Sequence, residues 1–459
     1  MNNIATFIPW RKVWVGLFFI VLPFSNKAQE SVLDAYIKEG LESNILIQKS
    51  HLSLENAIYA LRSARHNYIP TLNFEGLYTT AEGGRSYEIP VGDYLNPLLN
   101  TVNDFLGPGT VVPLENERIN FLPKNYYDAK VRLSVPILNM DIIHNNRIHE
   151  KQLTVNKHEI EIFSRELVKE IKTTYYQYLT ATKAIEIYDY TIELAQESKR
   201  INERLVDVGT GVYAYVLRAE TEIEQAKSKR RAAELQAQTI RMYFNALLNR
   251  ELDAEIIIEE SDEIIPIIDK STISIAGREE LMSLEQAIAI REDLVRMNKQ
   301  IYLPRLNGFV DLGSQAEEMR FDKESLYYMV GLQLTIPIFN GTKNNIAVKR
   351  SVNEVEMAKL HKEDVTQKLK VAVNKSYNEV LIHQSNYEAS LKQLEMAQTY
   401  HRLIDKGYAS GVNTYIETVD ARTQLSTAKI AVNLNYYQLL EALAKLERET
   451  AAYPIPVIQ

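Results

Sequence analysis

The chain has 459 residues, no cysteine and a formal net charge of −8. Without thiols there are no disulfides, thiolate metal sites, cysteine nucleophile or acylated N-terminal cysteine anchor, and the acidic balance does not suit nucleic acid as a partner. Residues 1–28 read as a cleavable signal peptide, with Arg11 and Lys12, an apolar run from Val13 to Phe24, and Ala28 before Gln29. That run is too short to span a bilayer. Removing its three cations (Arg11, Lys12 and Lys27) takes the formal charge from −8 to −11, and Trp10 and Trp14, the two tryptophans, leave with it. No later apolar run reaches the length of a transmembrane helix, so the exported chain either stays soluble or enters a membrane as strands.

The rest is written twice. A first repeat over 29–250 and a second over 278–450 are separated by an inter-repeat linker, 251–277, and followed by a tail, 451–459. The first repeat opens with a helix from about Val32 to Tyr68, stopped by Pro70. A strand over 71–80, a loop over 81–125 and a strand over 127–138 follow, then a long helix over 141–207, a turn at Gly209 and a return helix to about Leu248. The linker carries the acidic Glu259-Glu260-Ser261-Asp262-Glu263 and Pro266. The second repeat has a helix from Arg278 to Tyr302, stopped before Pro304, and strands over 304–313 and 327–338 joined by the short loop 314–325. A long helix over 342–406, a turn at Gly411 and a return helix to about Leu446 complete it.

The copies match in wording as well as order. Tyr68-Ile69-Pro70-Thr71-Leu72 recurs as Tyr302-Leu303-Pro304-Arg305-Leu306, and Val135-Pro136-Ile137-Leu138 as Ile336-Pro337-Ile338-Phe339. Tyr176 lies 40 residues after Pro136 and Tyr377 lies 40 after Pro337. Only the loop 81–125, rich in glycine and proline, breaks step, so a single insertion separates matched halves.

The four strands alternate. Ala129, Val131, Leu133 and Val135 face one way against Asp128, Lys130, Arg132 and Ser134, and Tyr328, Val330, Leu332, Leu334 and Ile336 oppose Met329, Gly331, Gln333 and Thr335. Leu72, Phe74 and Tyr78, and Leu306, Val310 and Leu312, give weaker versions, and tyrosines gather at one end of the set. Two readings fit: a half-buried sheet on a soluble core, or a transmembrane barrel wall with an aromatic girdle, its hairpin tips outside. Four strands cannot close a barrel, so the second demands an oligomer. Each long helix would run roughly 100 Å, with apolar steps of three and four as in Ile160, Phe163, Leu167 and Ile171.

Reaction chemistry is not written here. Gly209-Thr210-Gly211-Val212-Tyr213-Ala214 matches a dinucleotide-binding spelling, but the charged helix Asn202-Glu203-Arg204 precedes it where a buried strand is required. The eight histidines have no ligand spacing, and no nucleophile motif appears, so no catalytic, cofactor or metal site is expected.

With these boxes and turns in order, the mature chain resembles the TolC-type outer-membrane efflux protein family. The resemblance implies an α+β fold: a duplicated unit giving four transmembrane β-strands per protomer of a trimeric twelve-stranded outer-membrane β-barrel, continued by a long antiparallel α-helical periplasmic tunnel. It implies a passive exit duct of a tripartite efflux or type I secretion system, a homotrimer in outer-membrane lipid that works with a periplasmic adaptor and an inner-membrane pump. The stretch Gly407 to Ala421 matches the family's periplasmic aperture, placing its gate tyrosine on Tyr408 and its constriction acids on Glu417 and Asp420. The family's latching arginine is Asn413 here and the latch aspartate is Tyr215, so closure is expected to rest on Tyr213, Tyr215, Tyr408 and Tyr415. The competing reading is a soluble periplasmic coiled-coil scaffold with a small sheet for a head.

Overall fold

The computed structural model describes residues 31–259, 270 and 273–455. The signal peptide, most of the acidic linker run with Pro266, and the last four residues of the tail lie outside the described residues.

The first helical stretch is two helices, α1 (Val32–Ser43) and α2 (Ile45–His66), where one was expected. Asn44 divides them. Its side-chain oxygen accepts from the amides of Leu46 and Ile47, and its Nδ2 donates to the Leu247 carbonyl at 2.8 Å. An asparagine that caps a new helix offers the backbone an alternative to continuing the old one. β1 (Thr71–Thr79) follows. The insertion is more ordered than a loop: β2 (Ser86–Ile89), α3 (Val91–Leu106) and β3 (Glu117–Asn120) fold within it. β4 (Tyr126–Leu138), the long helix α4 (Met140–Asp207) and the return helix α5 (Tyr213–Leu247) complete the first repeat.

The second repeat comprises α6 (Glu279–Lys299), β5 (Arg305–Ala316), β6 (Leu326–Thr335), α7 (Lys343–Ala409) and α8 (Tyr415–Glu449). β5 runs three residues past its expected end and β6 stops three short, so Pro337 lies beyond its strand. Pro136 lies inside β4, at an irregularity between Pro136 and Leu138 where the pairing slips by a residue. Proline lacks the N–H a ladder needs, so a central strand admits it at a bulge, whereas the last strand of a sheet can simply end. Pro70 sits one residue before β1, and Pro304, expected to open its strand, sits one residue before β5.

The sheet order is β1-β4-β5-β6, antiparallel throughout. Leu72 pairs with Leu133, Phe74 with Val131, Val131 with Leu312, Val310 with Val330 and Leu306 with Leu334. Residues directly opposite share a face, so the expected apolar side is continuous across both repeats. Tyr78, Tyr127 and Tyr328 sit on it at the hairpin tips. The other face holds the sheet's charges: Arg132 grips Asp311 through two 2.7 Å hydrogen bonds, and Lys130 pairs with Asp128 at 3.0 Å. Leu77, Met329 and Phe309 share that face, Phe309 lying under the Arg132 guanidinium at 5.1 Å and over the bare Cα of Gly331.

The helices repeat this order. Towards the turns, α4 packs along α5 and α8, and α8 along α7, giving the row α5-α4-α8-α7. Nearer the sheet, α2 and α6 flank α4, and α6 packs on α7, giving α2-α4-α6-α7. The main core gathers α1, the middle of α4 and the end of α5 around Ile37, Ile171, Phe244 and Leu248. Beside it Arg278, 2% exposed, bonds to Glu280 and Glu449 at 2.8 Å each and fastens the start of the second repeat to the end of α8.

Candidate functional site

The turns that join the long helices to their return helices are built alike. Gly209 and Gly411 both adopt φ +76°. In the first turn the Gly209 amide donates to the Val206 carbonyl and the Thr210 amide to Leu205. In the second, Gly411 donates to Tyr408 and Val412 to Gly407. Both are Schellman closures, which need a residue in the left-handed region. Gly209→Ala and Gly411→Ala should each cost about 1 kcal/mol locally. Hydrogen exchange across the affected turn should quicken, while the control Gly277→Ala, at an unstrained and open position, leaves it unchanged.

Above the turns the two hairpins meet at Tyr415, which is 1% exposed. The Tyr215 ring lies 5.0 Å from it and Tyr408 6.1 Å, with Ala219 and Val419 completing the cluster. The Ser198 hydroxyl donates to the Tyr415 hydroxyl at 3.3 Å, and burial pushes the Tyr408 phenol up from its usual range. Tyr213, expected in this cluster, is instead 63% exposed. It opens α5 at a position turned away from Tyr415, two residues short of Tyr215.

The two acids expected at the aperture, Glu417 and Asp420, have different surroundings. Glu417 belongs to a capping box at the start of α8: its carboxylate accepts from the Thr414 amide at 2.6 Å and from Asn413 Nδ2 at 3.3 Å. These donors, the Thr414 amide foremost, hold its carboxyl below the usual range. Asp420 is exposed and accepts from Gln424 at 2.7 Å. Asn413 folds over Gly407, where a Cβ would overlap its Oδ1. In place of an arginine latch, the position fastens its own turn.

Near the turns, a charge pair that the sequence reading missed also bridges the hairpins, as Lys172–Glu447 and Arg448–Glu166 do farther from them. Arg422 of α8 reaches Glu222 of α5 at 3.0 Å, passing the Leu194 carbonyl of α4, with side chains only 10% and 12% exposed. Its guanidinium also lies 5.9 Å over the Tyr415 ring. Burial pushes the Glu222 carboxyl up in spite of the arginine beside it. A signal for both exists: Arg422 continues the buried steps Tyr415, Val419 and Leu425, and Glu222 those of Val216, Ala219 and Ala226. A charge inside an apolar stripe needs a partner.

Among the described residues no cluster of His, Asp or Glu could hold a metal ion, and no helix is long and apolar enough to cross a membrane.

The profile of the outer membrane efflux protein family matches residues 36–250 and 273–451. The chain is 21% identical over 446 residues to the outer membrane protein TolC of Escherichia coli strain K12, covering 92% of this chain and 82% of that one. It is also 21% identical over 329 residues to the alkaline protease secretion protein AprF of Pseudomonas aeruginosa, covering 70% and 68%. Among solved structures, the open state of the MtrE outer membrane channel of Neisseria gonorrhoeae superposes with a TM-score of 0.70 at 16% identity, over 91% of this chain and 88% of that chain.

Proposed function

Since the chain belongs to the outer membrane efflux protein family, we propose that three copies close into one exit duct, a barrel in the outer membrane continued by a helical tunnel through the periplasm. One observation carries the reading: the molecule has the same two open edges along its whole length. The sheet ends at β1 and β6, and the helical rows end at α5 or α2 on one side and at α7 on the other. β1 follows α2 and β6 precedes α7 in the chain, so each edge is continuous from barrel to tip. Unpaired strand edges seek a partner. Joining the β6–α7 edge of one copy to the β1–α2–α5 edge of the next supplies one, and α7 leaves Met357, Val371 and Met396 at least 63% exposed along that seam.

The soluble scaffold reading has no place for the sheet. Its apolar face is exposed, with Phe74 at 73% and Val330 and Leu332 at 69%, and among the described residues no helix packs over it. Lipid is the cover that such a face fits. In detergent the protein should run as a trimer that resists salt and carbonate extraction; a stable monomer retaining its strand content would sink the proposal. The duct would take substrate from a periplasmic adaptor and an inner-membrane pump, the partners that the family resemblance implies.

We further place the narrowest point of the duct at the helical tips, with Tyr408 as gate and Asp420 as the exposed constriction acid. Three copies of an exposed carboxylate around one axis attract cations. In planar bilayers Asp420→Asn should reduce cation preference and Tyr408→Ala should raise conductance. Glu417→Gln, which keeps the capping box, should alter selectivity less than Asp420→Asn. Unchanged selectivity in Asp420→Asn would remove that residue from the bore.

A further inference from the structure

The insertion between β1 and β4 is a small folded unit. α3 is stapled to the extended segment 111–116 by two asparagines, two helical turns apart. Asn96 Nδ2 donates to the Leu114 carbonyl at 2.9 Å while its Oδ1 accepts from the Leu114 amide at 2.8 Å, and Asn103 does the same with Val111 at 2.8 and 2.7 Å. Each amide side chain thus imitates a strand neighbour. The Asn116 side chain ties the same segment to the Asp93 amide at 3.2 Å.

This staple uses one face of the helix and leaves another bare. Tyr94, Leu98 and Phe105, spaced by four and seven, share that second face at 78%, 68% and 88% exposure, with Leu95 and Leu106 beside them. Side chains of this size leave roughly 300 Å² uncovered on the two aromatics, and the three leucines add a comparable amount. An apolar patch of that extent stands at the top of what a monomer exposes and marks a surface for interaction.

Charge and area both bear on what occupies it. α3 carries Asp93 and Asp104 and no lysine or arginine, whereas helices that lie in a membrane interface are rich in cations on their polar face. At roughly 600 Å² per copy the patch falls short of the roughly 800 Å² per partner that a free-standing complex needs. It suffices for copies already held together, because tethering replaces bulk concentration with a far higher effective one. The insertion is rooted on β1, an open edge of the sheet, so in a closed barrel it rises beside the neighbouring copy. We propose that the three α3 helices pack apolar face to apolar face over the outer mouth of the barrel, forming a lid that must part for substrate to leave. The lid rests on the trimeric duct proposed above.

The chain has no cysteine, so single substitutions report without background. Leu98→Cys and Phe105→Cys, each in the full-length protein in detergent and in outer-membrane vesicles, should form covalent dimers on mild oxidation. Asn100→Cys, on the opposite side of α3, should form several-fold fewer. Native mass spectrometry of the same samples reports the trimer separately. An intact trimer with no link at 98 or 105, or with equal linking at 100, overturns the lid and leaves the duct standing. Labelling of Leu98→Cys or Phe105→Cys by a thiol-reactive lipid in place of cross-linking overturns it in favour of the bilayer. A monomeric protein overturns both.

Discussion

Val131→Arg and Leu332→Arg are each expected to lose about 2–4 kcal/mol of membrane stability if they lie near the bilayer midplane. The loss should show as less folded trimer surviving heat or urea in detergent and as poorer recovery in the outer membrane. Both side chains belong to the apolar face that runs unbroken through β1, β4, β5 and β6, and Leu332 is 69% exposed in the single chain. A charge there must be carried into hydrocarbon or dragged to the interface. The comparison pair is Lys130→Ala and Gln333→Ala on the opposite face. Lys130 is bonded to Asp128 and lies 3.8 Å from Glu75, a partly exposed network whose members are each worth about 1 kcal/mol or less. Equal losses in the two sets would mean that the apolar face does not meet lipid.

The second large effect is expected at the hairpin junction. Arg422→Ala would remove the only cation hydrogen-bonded to Glu222 among the described residues, in a site only 12% exposed, leaving Arg218 as its nearby positive charge, and breaking a buried pair from one side costs about 3 kcal/mol or more. The tips should then separate more readily, seen as higher conductance in bilayers and faster hydrogen exchange around Tyr415. Because burial already pushes the Glu222 carboxyl up, the pair is costly to keep charged. Arg422→Met with Glu222→Leu should therefore recover most of the loss, as replacing both ions by apolar groups of similar size often does. If the double variant is as leaky as Arg422→Ala, a gap in packing is responsible and the charge pair is not the fastening.

Much of this architecture was legible because it is repeated. Gly209 and Gly411 hold the same backbone angle and the same pair of turn hydrogen bonds 202 residues apart, and the period-two alternation around Val131 and Val330 predicts a face that the strand register then assembles. Asn44 was harder to read: Asn44 looks like any other helical polar residue until its amide finds the Leu247 carbonyl. The insertion gave no warning either, since its helix is held by side chains that bond to a segment 8 to 18 residues away.

The residue pattern by itself determined the duplication, the two turns, the alternating apolar strand face and the family resemblance. These are local matters: steric demands on φ, periods of two and of three to four, and spacing along the chain. The tertiary structure decided what lies between elements distant in sequence. It set the order α5-α4-α8-α7, turned Tyr213 out of the tyrosine cluster, engaged Glu417 in its own helix cap while leaving Asp420 exposed, and brought Glu222 to Arg422 across α4. Which partner a buried charge meets depends on how helices pack, and packing is fixed by complementary surfaces that no single segment contains.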